Sequence, residues 1–338
     1  MLIPQICKPS LYYRLKEQRF FKKEASTIER EKFRMSKFIP SFCWVLYYIR
    51  RLSPDVIIIR NRNLAASIVY LAGKLSGVHH ILSYTQDACY SDHLFKENSF
   101  KHCIKRLIYP SIVYSPVEKS EVNSEKLYKT GHHFIPFAMN FDDKLIVGRQ
   151  YCKGGYINVL DVGKYRDYKN HFVLVKTIAL LPENIRRIFR ISILGQAYNE
   201  EEKLYKQRLE QFIIENNLSN IIYTLDAVPY TSMKYLYLSN DIFILTSKKE
   251  AASISILEAM KYGVVCISTN RNGTASYINT NFGYIFESDN ENSLKDILLK
   301  LVDNRLKISE MGLKTYEYAK QNFSADAYFM KLKSLIDE

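Results

Sequence analysis

Seven residues separate Glu250 from Glu258, and what lies between them decides what the two carboxylates could do. Ala251, Ala252 and Ser253 are small and would let the backbone come close to a ligand. The run Asp241-Ile-Phe-Ile-Leu245 before them reads as a buried strand. A helix is predicted to begin near Ser253 or Ile254, and a further strand to follow Gly263. Glu250 would then stand at the carboxyl end of a parallel strand, where ligands bind in such sheets. The first amides of the helix have no intrahelical partner and favour an anion such as a diphosphate. Glu258, about one turn further on, could reach past the phosphates and accept two vicinal ribose hydroxyls. The same residues also fit a capping box, Ser255-Ile-Leu-Glu258, in which Glu258 would only cap its own helix. Glu250 could equally be a solvated loop carboxylate, so the residues alone leave both readings open.

The elements that must position these groups can be read from alternating apolar runs. In the N-terminal half, strands are predicted at Asp55–Ile59, His79–Tyr84, Ser111–Tyr114 and His133–Pro136. Helical patterns lie between them at Leu64–Leu75, Phe100–Leu107 and Val117–Lys129. The polar stretch 138–155, with Gly148, Gly154 and Gly155, reads as an interdomain linker. The alternation then restarts, with strands at Tyr156–Val162, Ile188–Leu194, Ile221–Leu225, Asp241–Leu245, Val264–Ser268 and Tyr284–Phe286. Short apolar strands alternating with helices indicate parallel sheets covered on both faces. The fold class is therefore α/β, two tandem Rossmann-like doubly wound domains, with ligands expected in the cleft between them.

The length of 338 residues fits two domains, and 47% hydrophobic with 25% charged residues suits a globular protein. The net charge of +13 is unusual and uneven. Residues 1–60 hold 13 Lys and Arg against five Asp and Glu, a local excess of +8. Tyr12, Tyr13, Phe20, Phe21 and Phe38 are interleaved with them, and residues 10–51 read as helical. Such a face suits an anionic membrane surface or a phosphate-rich acceptor; a solvated helical face and a nucleic-acid site have the same composition. The six cysteines are scattered without a Cys-x-x-Cys pair, which argues against a disulfide framework or zinc site and for a reducing cytosol. His79-His80 and His132-His133 lie in apolar strand-like runs and read as structural. No apolar run reaches the ~18 residues that span a bilayer, so any membrane contact is expected at the surface.

Several segments together resemble the family 4 glycosyltransferases, which have the GT-B fold. The two Glu are followed by Ala-Met-x-x-Gly-Val-Val. Asp161-Val-Gly163-Lys164-Tyr-Arg-Asp-Tyr-Lys169-Asn-His171 resembles the loop after the first strand of the family's C-terminal domain. Ile193-Leu-Gly195, Tyr237-Leu-Ser-Asn-Asp241, Asn272-Gly273-Thr-Ala-Ser276 and Gly283-Tyr-Ile-Phe286 follow in the family's order. The resemblance covers 156–320 well and 55–145 loosely. It implies an acceptor-binding domain over 1–145 with a shortened, basic helical start, and a donor-binding domain over 150–320. A terminal helix over 321–338 is expected to pack back on the first domain.

The resemblance also implies roles. Glu250 would contact the donor sugar, and Lys164 and Lys169 would neutralise the diphosphate; these three form the catalytic set. Gly163, Ala251, Ala252, Ser253, Ile254, Glu258, Val228 and Gln86 would bind the donor, Glu258 through its ribose. Lys164 stands where the family usually has Arg, which keeps the charge without the bidentate fork. Gln86 stands where a His is frequent and can hold a hydroxyl but cannot act as a base; Ser276 stands where a Glu is frequent. The expected reaction is sugar transfer with retention from a nucleotide-diphosphate sugar to a glycan or lipid-linked acceptor, with no bound metal and no cofactor beyond the donor. A bacterial surface polysaccharide such as lipopolysaccharide or capsule would be the product, made in the cytoplasm or at the inner face of the membrane. Nucleic acid is not expected as a partner. A GT-B-shaped epimerase and a non-catalytic partner subunit remain as alternatives.

Overall fold

The protein is described by a computed structural model over residues 42–60, 64–85, 107–108, 110, 112–118 and 132–337. Gln86, and the basic stretch before residue 42, lie outside the described residues. The chain divides into two compact units: Met1–Pro116, Glu125–Ala138 and Ala325–Glu338 in one, Val117–Ser124 and Met139–Ser324 in the other.

The first unit holds a parallel sheet in the order β1 (Val56–Ile59), β2 (His80–Tyr84), β3 (Val113–Ser115), β4 (His132–Phe134). Successive side chains of a strand point to opposite faces, and β1 shows the consequence. Ile57 and Ile59 pack with Val45 and Ile49 of helix α1 (Phe42–Leu52) and with Ala66 and Ala72 of α2 (Leu64–Leu75). Val56 and Ile58 face a second core containing Leu82, Tyr114 and Ile135, closed by Tyr328, Leu332 and Leu335 from the chain's terminal helix, Ala325–Asp337. The Tyr114 and Tyr328 hydroxyls meet at 3.0 Å.

The second unit is a six-stranded parallel sheet. Its strands are β5 (Ile157–Val162), β6 (Phe189–Gly195), β7 (Ile222–Asp226), β8 (Ile242–Leu245), β9 (Val265–Thr269) and β10 (Tyr284–Phe286), in the order β7-β6-β5-β8-β9-β10. All residues of β8 and β9 are buried, as a sheet covered on both faces requires. The chain runs outward from β5 to one edge, returns, and runs from β8 to the other. The switch point is thus between β5 and β8, the place where such sheets bind ligands at their carboxyl ends. Helices α3 (His171–Ala179), α4 (Glu183–Arg186), α5 (Glu200–Glu215), α6 (Met233–Ser239), α7 (Ile254–Lys261), α8 (Glu291–Asp303) and α9 (Ile308–Phe323) surround it, and Ala325–Asp337 is α10. The ten strands among the described residues coincide with the predicted ones, shifted by no more than two residues at either end.

The polar stretch 138–155 starts where the chain passes from the first unit to the second, and it is bound along the second. Arg149 donates to the carbonyls of Asn240 and Tyr262, the C-caps of α6 and α7, and Tyr151 donates to Gly263 O at 2.9 Å. Asp143 accepts from Tyr316 and Lys320 of α9 at 2.6 and 2.7 Å. Helix ends leave carbonyls that need donors, and this segment supplies them. Among the described residues no helix is long and apolar enough to cross a membrane.

Candidate active site

The loop that leaves β5 begins at Gly163, and the neighbouring strand presses against it. A Cβ on Gly195, the last residue of β6, would lie 2.2 Å from Gly163 O, so glycine is required there. Tyr165 anchors the loop from within: its ring is fully buried and its hydroxyl lies 2.8 Å from Ile193 O and 2.9 Å from Leu225 O. Lys164, one residue earlier, is exposed.

Beneath the loop sits a polar cluster. His171, the first residue of α3, is fully buried, with Nδ1 2.8 Å from Asp161 Oδ2 and Nε2 3.1 Å from Lys164 O. Each ring nitrogen thus lies within hydrogen-bond distance of an oxygen. Asp161 is buried at the end of β5 and lies 3.1 Å from the Thr246 hydroxyl, which also reaches Lys169 O at 2.7 Å. The carbonyls of both Lys164 and Lys169 are therefore tied to one buried group of side chains.

The loop after β8 is stapled to the loop after β5. Lys248 N donates to Tyr168 O at 2.8 Å, and the Lys169 ammonium pairs with the Glu250 carboxylate. Lys169 and Glu250 both remain partly open to solvent, with side chains 16% and 22% exposed. The Lys169 stem lies along Gly163, where an added Cβ would approach its Cδ to 3.2 Å. Glu250 is also fixed through its backbone, which pairs with Arg271 O at 3.1 Å and Gly273 N at 3.0 Å. Gly273 has no alternative, since a Cβ there would lie 2.1 Å from Ala251 O.

Ala251 is exposed, and Ala252 and Ile254 are half-buried, where the chain turns into α7. Ser253 is the N-cap residue but makes no capping bond; its amide donates to Thr274 Oγ1 at 3.1 Å and its hydroxyl meets that of Ser255 at 2.7 Å. Ser253 is thus satisfied inside the fold. The Ser255–Glu258 capping box does not form, because the helix begins before Ser255. Glu258 instead accepts from the Tyr237 hydroxyl at 2.9 Å. Burial pushes the Glu258 carboxyl above its ordinary range, and the Tyr237 hydroxyl and the charge of Lys261 pull it part of the way back. Val228 is half-buried in the loop between β7 and the turn that carries Tyr230.

The structure therefore brings Gly163, Lys169 and Glu250 into contact and leaves Lys164 exposed beside them. Asp241 lies at the opposite end of β8, where it accepts from the amides of Cys152 and Asn158 at 2.8 and 2.7 Å and is structural. The reading of the sequence missed His171, Thr246, Thr274 and Tyr237 as members of the site. His171 stood within the segment already singled out, at the first turn of a helix.

The two parallel sheets, one of them in Rossmann strand order, define a GT-B protein. Residues 151–322, just over half the chain, match the family described as glycosyl transferases group 1, and the chain belongs to it. A curated relative from Escherichia coli is named UDP-Gal:alpha-D-GlcNAc-diphosphoundecaprenol alpha-1,3-galactosyltransferase. It is 25% identical over 176 residues, which cover 44% of this chain and 45% of the relative. An uncharacterized glycosyltransferase of Methanocaldococcus jannaschii is 24% identical over 229 residues, covering 62% and 63%. The chain thus spans about half to three-fifths of the length of these relatives. Among solved structures, HepE of Anabaena in complex with UDP superposes with a TM-score of 0.67 at 15% identity, over 88% of this chain and 81% of that one. The lipopolysaccharide outer core galactosyltransferase WaaB superposes with a TM-score of 0.62 at 17% identity, over 95% and 86%.

Proposed function

We propose that the protein transfers a sugar, with retention, from a uridine diphosphate sugar to a lipid-linked or glycan acceptor of a bacterial surface polysaccharide. The observation that carries the reading is the Lys169–Glu250 pair at the switch point between β5 and β8. An ammonium and a carboxylate side by side suit a substrate that joins a diphosphate to a polyhydroxylated ring. Lys169 and Lys164 take the phosphates, Glu250 accepts from the sugar hydroxyls, and Glu258 accepts from the ribose. The backbone of Ala251, Ala252 and Ile254 lines the same turn, while Val228 lies toward the base. The uridine assignment is supported by the names of the relatives, which include a UDP-Gal transferase and a UDP complex.

In this reading the acceptor hydroxyl attacks the anomeric carbon on the face from which the diphosphate departs, and a departing phosphate oxygen takes its proton. The chain's residues supply positioning and charge stabilisation. The two lysines and the open amides at the start of α7 meet the negative charge that grows on the leaving group. No side chain is required to act as a base.

Thermal-shift measurements with UDP, GDP, ADP and CDP test the donor, since a ligand bound only by the folded state raises its stability. UDP is expected to give the largest shift. Glu258→Gln is expected to weaken UDP about ten- to 150-fold, the worth of a hydrogen bond to a charged group. Its effect on the fold has the opposite sign. Folded Glu258 holds its proton more tightly than the unfolded chain does, so its stabilising contribution is present at low pH and lost as pH rises through the raised pKa. At neutral pH the buried charge costs stability, and the melting temperature of Glu258→Gln should not fall. Unchanged UDP affinity in the folded variant would mean that Glu258 serves only Tyr237.

A surface site for the membrane is part of the proposal. Helices α1 and α2 pack against each other and carry Arg50, Arg51 and Lys74 without any acid. Trp44, Tyr47 and Leu75 are exposed beside them. Basic residues with interfacial aromatics suit an anionic bilayer surface. Reversing Arg50 and Arg51 to Glu is expected to reduce sedimentation with phosphatidylglycerol-containing vesicles about 10- to 100-fold, at about 1 kcal/mol per basic residue. Equal sedimentation of the variant would remove this face from the proposal.

A further inference from the structure

The Lys169 ammonium and the Glu250 carboxylate are bonded to each other. The reaction proposed above needs the first for a phosphate and the second for a sugar hydroxyl. The backbone on either side of the pair is pinned. Lys169 O accepts from the Thr246 hydroxyl at 2.7 Å, Glu250 N donates to Arg271 O at 3.1 Å, and Gly273 N donates to Glu250 O at 3.0 Å. The pair can therefore part by rotation of its two side chains alone, and both are partly open to solvent.

What Glu250 keeps when the pair parts decides which ligand bears the cost. Lys169 holds Glu250 Oε2, and the same oxygen has the buried Ser247 hydroxyl at 3.4 Å. A bond of that length is weak. A bare nucleoside diphosphate that draws Lys169 onto its phosphates leaves the Glu250 charge with Ser247 alone, beside new negative charge. A nucleotide sugar draws Lys169 in the same way, but it also brings hydroxyls that donate to Glu250. Both members of the pair then exchange one partner for another. Breaking the pair therefore counts against UDP and not against the UDP-sugar.

We propose that the Lys169–Glu250 pair makes the site discriminate the nucleotide sugar from the nucleotide left after transfer. Once the sugar has passed to the acceptor, Glu250 reclaims the Lys169 ammonium and weakens the hold on UDP. The inference rests on the reading of this site as one for a uridine diphosphate sugar. It predicts that neutralising Glu250 strengthens the binding of UDP. A carboxylate that serves the sugar alone would leave UDP affinity where it was.

The test is calorimetric titration of the full chain with UDP, UDP-galactose and UDP-glucose, for the wild type, Glu250→Gln, Lys169→Ala and the double variant. The backbone bonds of residue 250 do not involve its side chain, so Glu250→Gln keeps the loop in place. It removes the charge and keeps the shape, and UDP should bind about 3- to 10-fold more tightly. The UDP-sugar that the wild type binds best should gain nothing or weaken, because a neutral amide is the poorer acceptor for its hydroxyls. In the Lys169→Ala background the same change should alter UDP affinity less than about two-fold, since no ammonium is left to release. UDP affinity in Glu250→Gln at or below that of the wild type overturns the proposal, and so does an equal gain for the UDP-sugar. An equal gain for UDP in the Lys169→Ala background also overturns it, because the carboxylate would then only repel the phosphates from where it stands. A wild-type protein that binds none of these ligands overturns the nucleotide reading itself, and the discrimination with it.

Discussion

Alanine at Asp161 is expected to cost the second unit about 1–3 kcal/mol of stability, the range seen when a buried polar group loses its hydrogen-bond partner. Asp161 and His171 are 1% and 0% exposed, 2.8 Å apart, at the end of β5 and the start of α3. Removing the carboxylate leaves the His171 Nδ1 without its acceptor in a site that water does not reach. Asp161→Asn should cost less, because its side-chain oxygen can stand in for Oδ2, which faces both His171 and Thr246. The single tryptophan, Trp44, lies in the first unit, so its fluorescence is the wrong probe. Hydrogen exchange of the β5 and β8 amides reads the second unit directly, because core strands open with the free energy of their own unit. A loss below about 1 kcal/mol for Asp161→Ala would show that the cluster does not hold this end of the sheet together. The same variant should loosen both lysine loops, since the carbonyls of Lys164 and Lys169 hang from His171 and Thr246.

The strands were legible because a sheet buried on both faces leaves a plain mark: continuous runs such as Val56-Ile-Ile-Ile59 and Ile242-Phe-Ile-Leu245 between helical patterns. The strand order was not written in those runs. It follows from right-handed crossovers, and it alone turns two distant segments into one site by setting β5 beside β8. Glu250 and Lys169 could be singled out by type and by resemblance, but their contact depends on that adjacency. The contacts of 138–155 were not legible for a related reason: its glycines and polar residues mark a linker, but Arg149 and Tyr151 meet helix-end carbonyls from elements about 90 to 110 residues away. Glu258 shows the limit of local spacing. Ser255 and Glu258 stand at capping-box separation, yet the helix starts at Ile254 after Ser253, which puts Ser255 inside it and frees Glu258 for Tyr237.

Lys169→Ala is expected to slow breakage of the donor bond about 10²- to 10³-fold, the cost of deleting one preorganised charge-stabilising group. The slow hydrolysis of UDP-galactose or UDP-glucose by water, followed as UDP release, reads this step without any acceptor. UDP affinity should fall much less than the rate, because the ammonium gains most when the phosphate oxygen takes on charge. Gly163 gives a second route to the same loss. A Cβ on residue 163 would sit 3.2 Å from both the Lys169 stem and His171 Cε1, so Gly163→Ala is expected to push the stem aside without removing the ammonium. If position is what matters, Gly163→Ala and Lys169→Ala should each slow the reaction, and the double variant should be no slower than Lys169→Ala alone. Groups that act through one another show such non-additivity. Additive losses would mean that Gly163 works through something else, such as the approach of its backbone to the ligand. Donor hydrolysis at the wild-type rate in Lys169→Ala would move the stabilising charge to Lys164 or to the amides of α7, and would leave the Lys169–Glu250 pair a clamp between two loops.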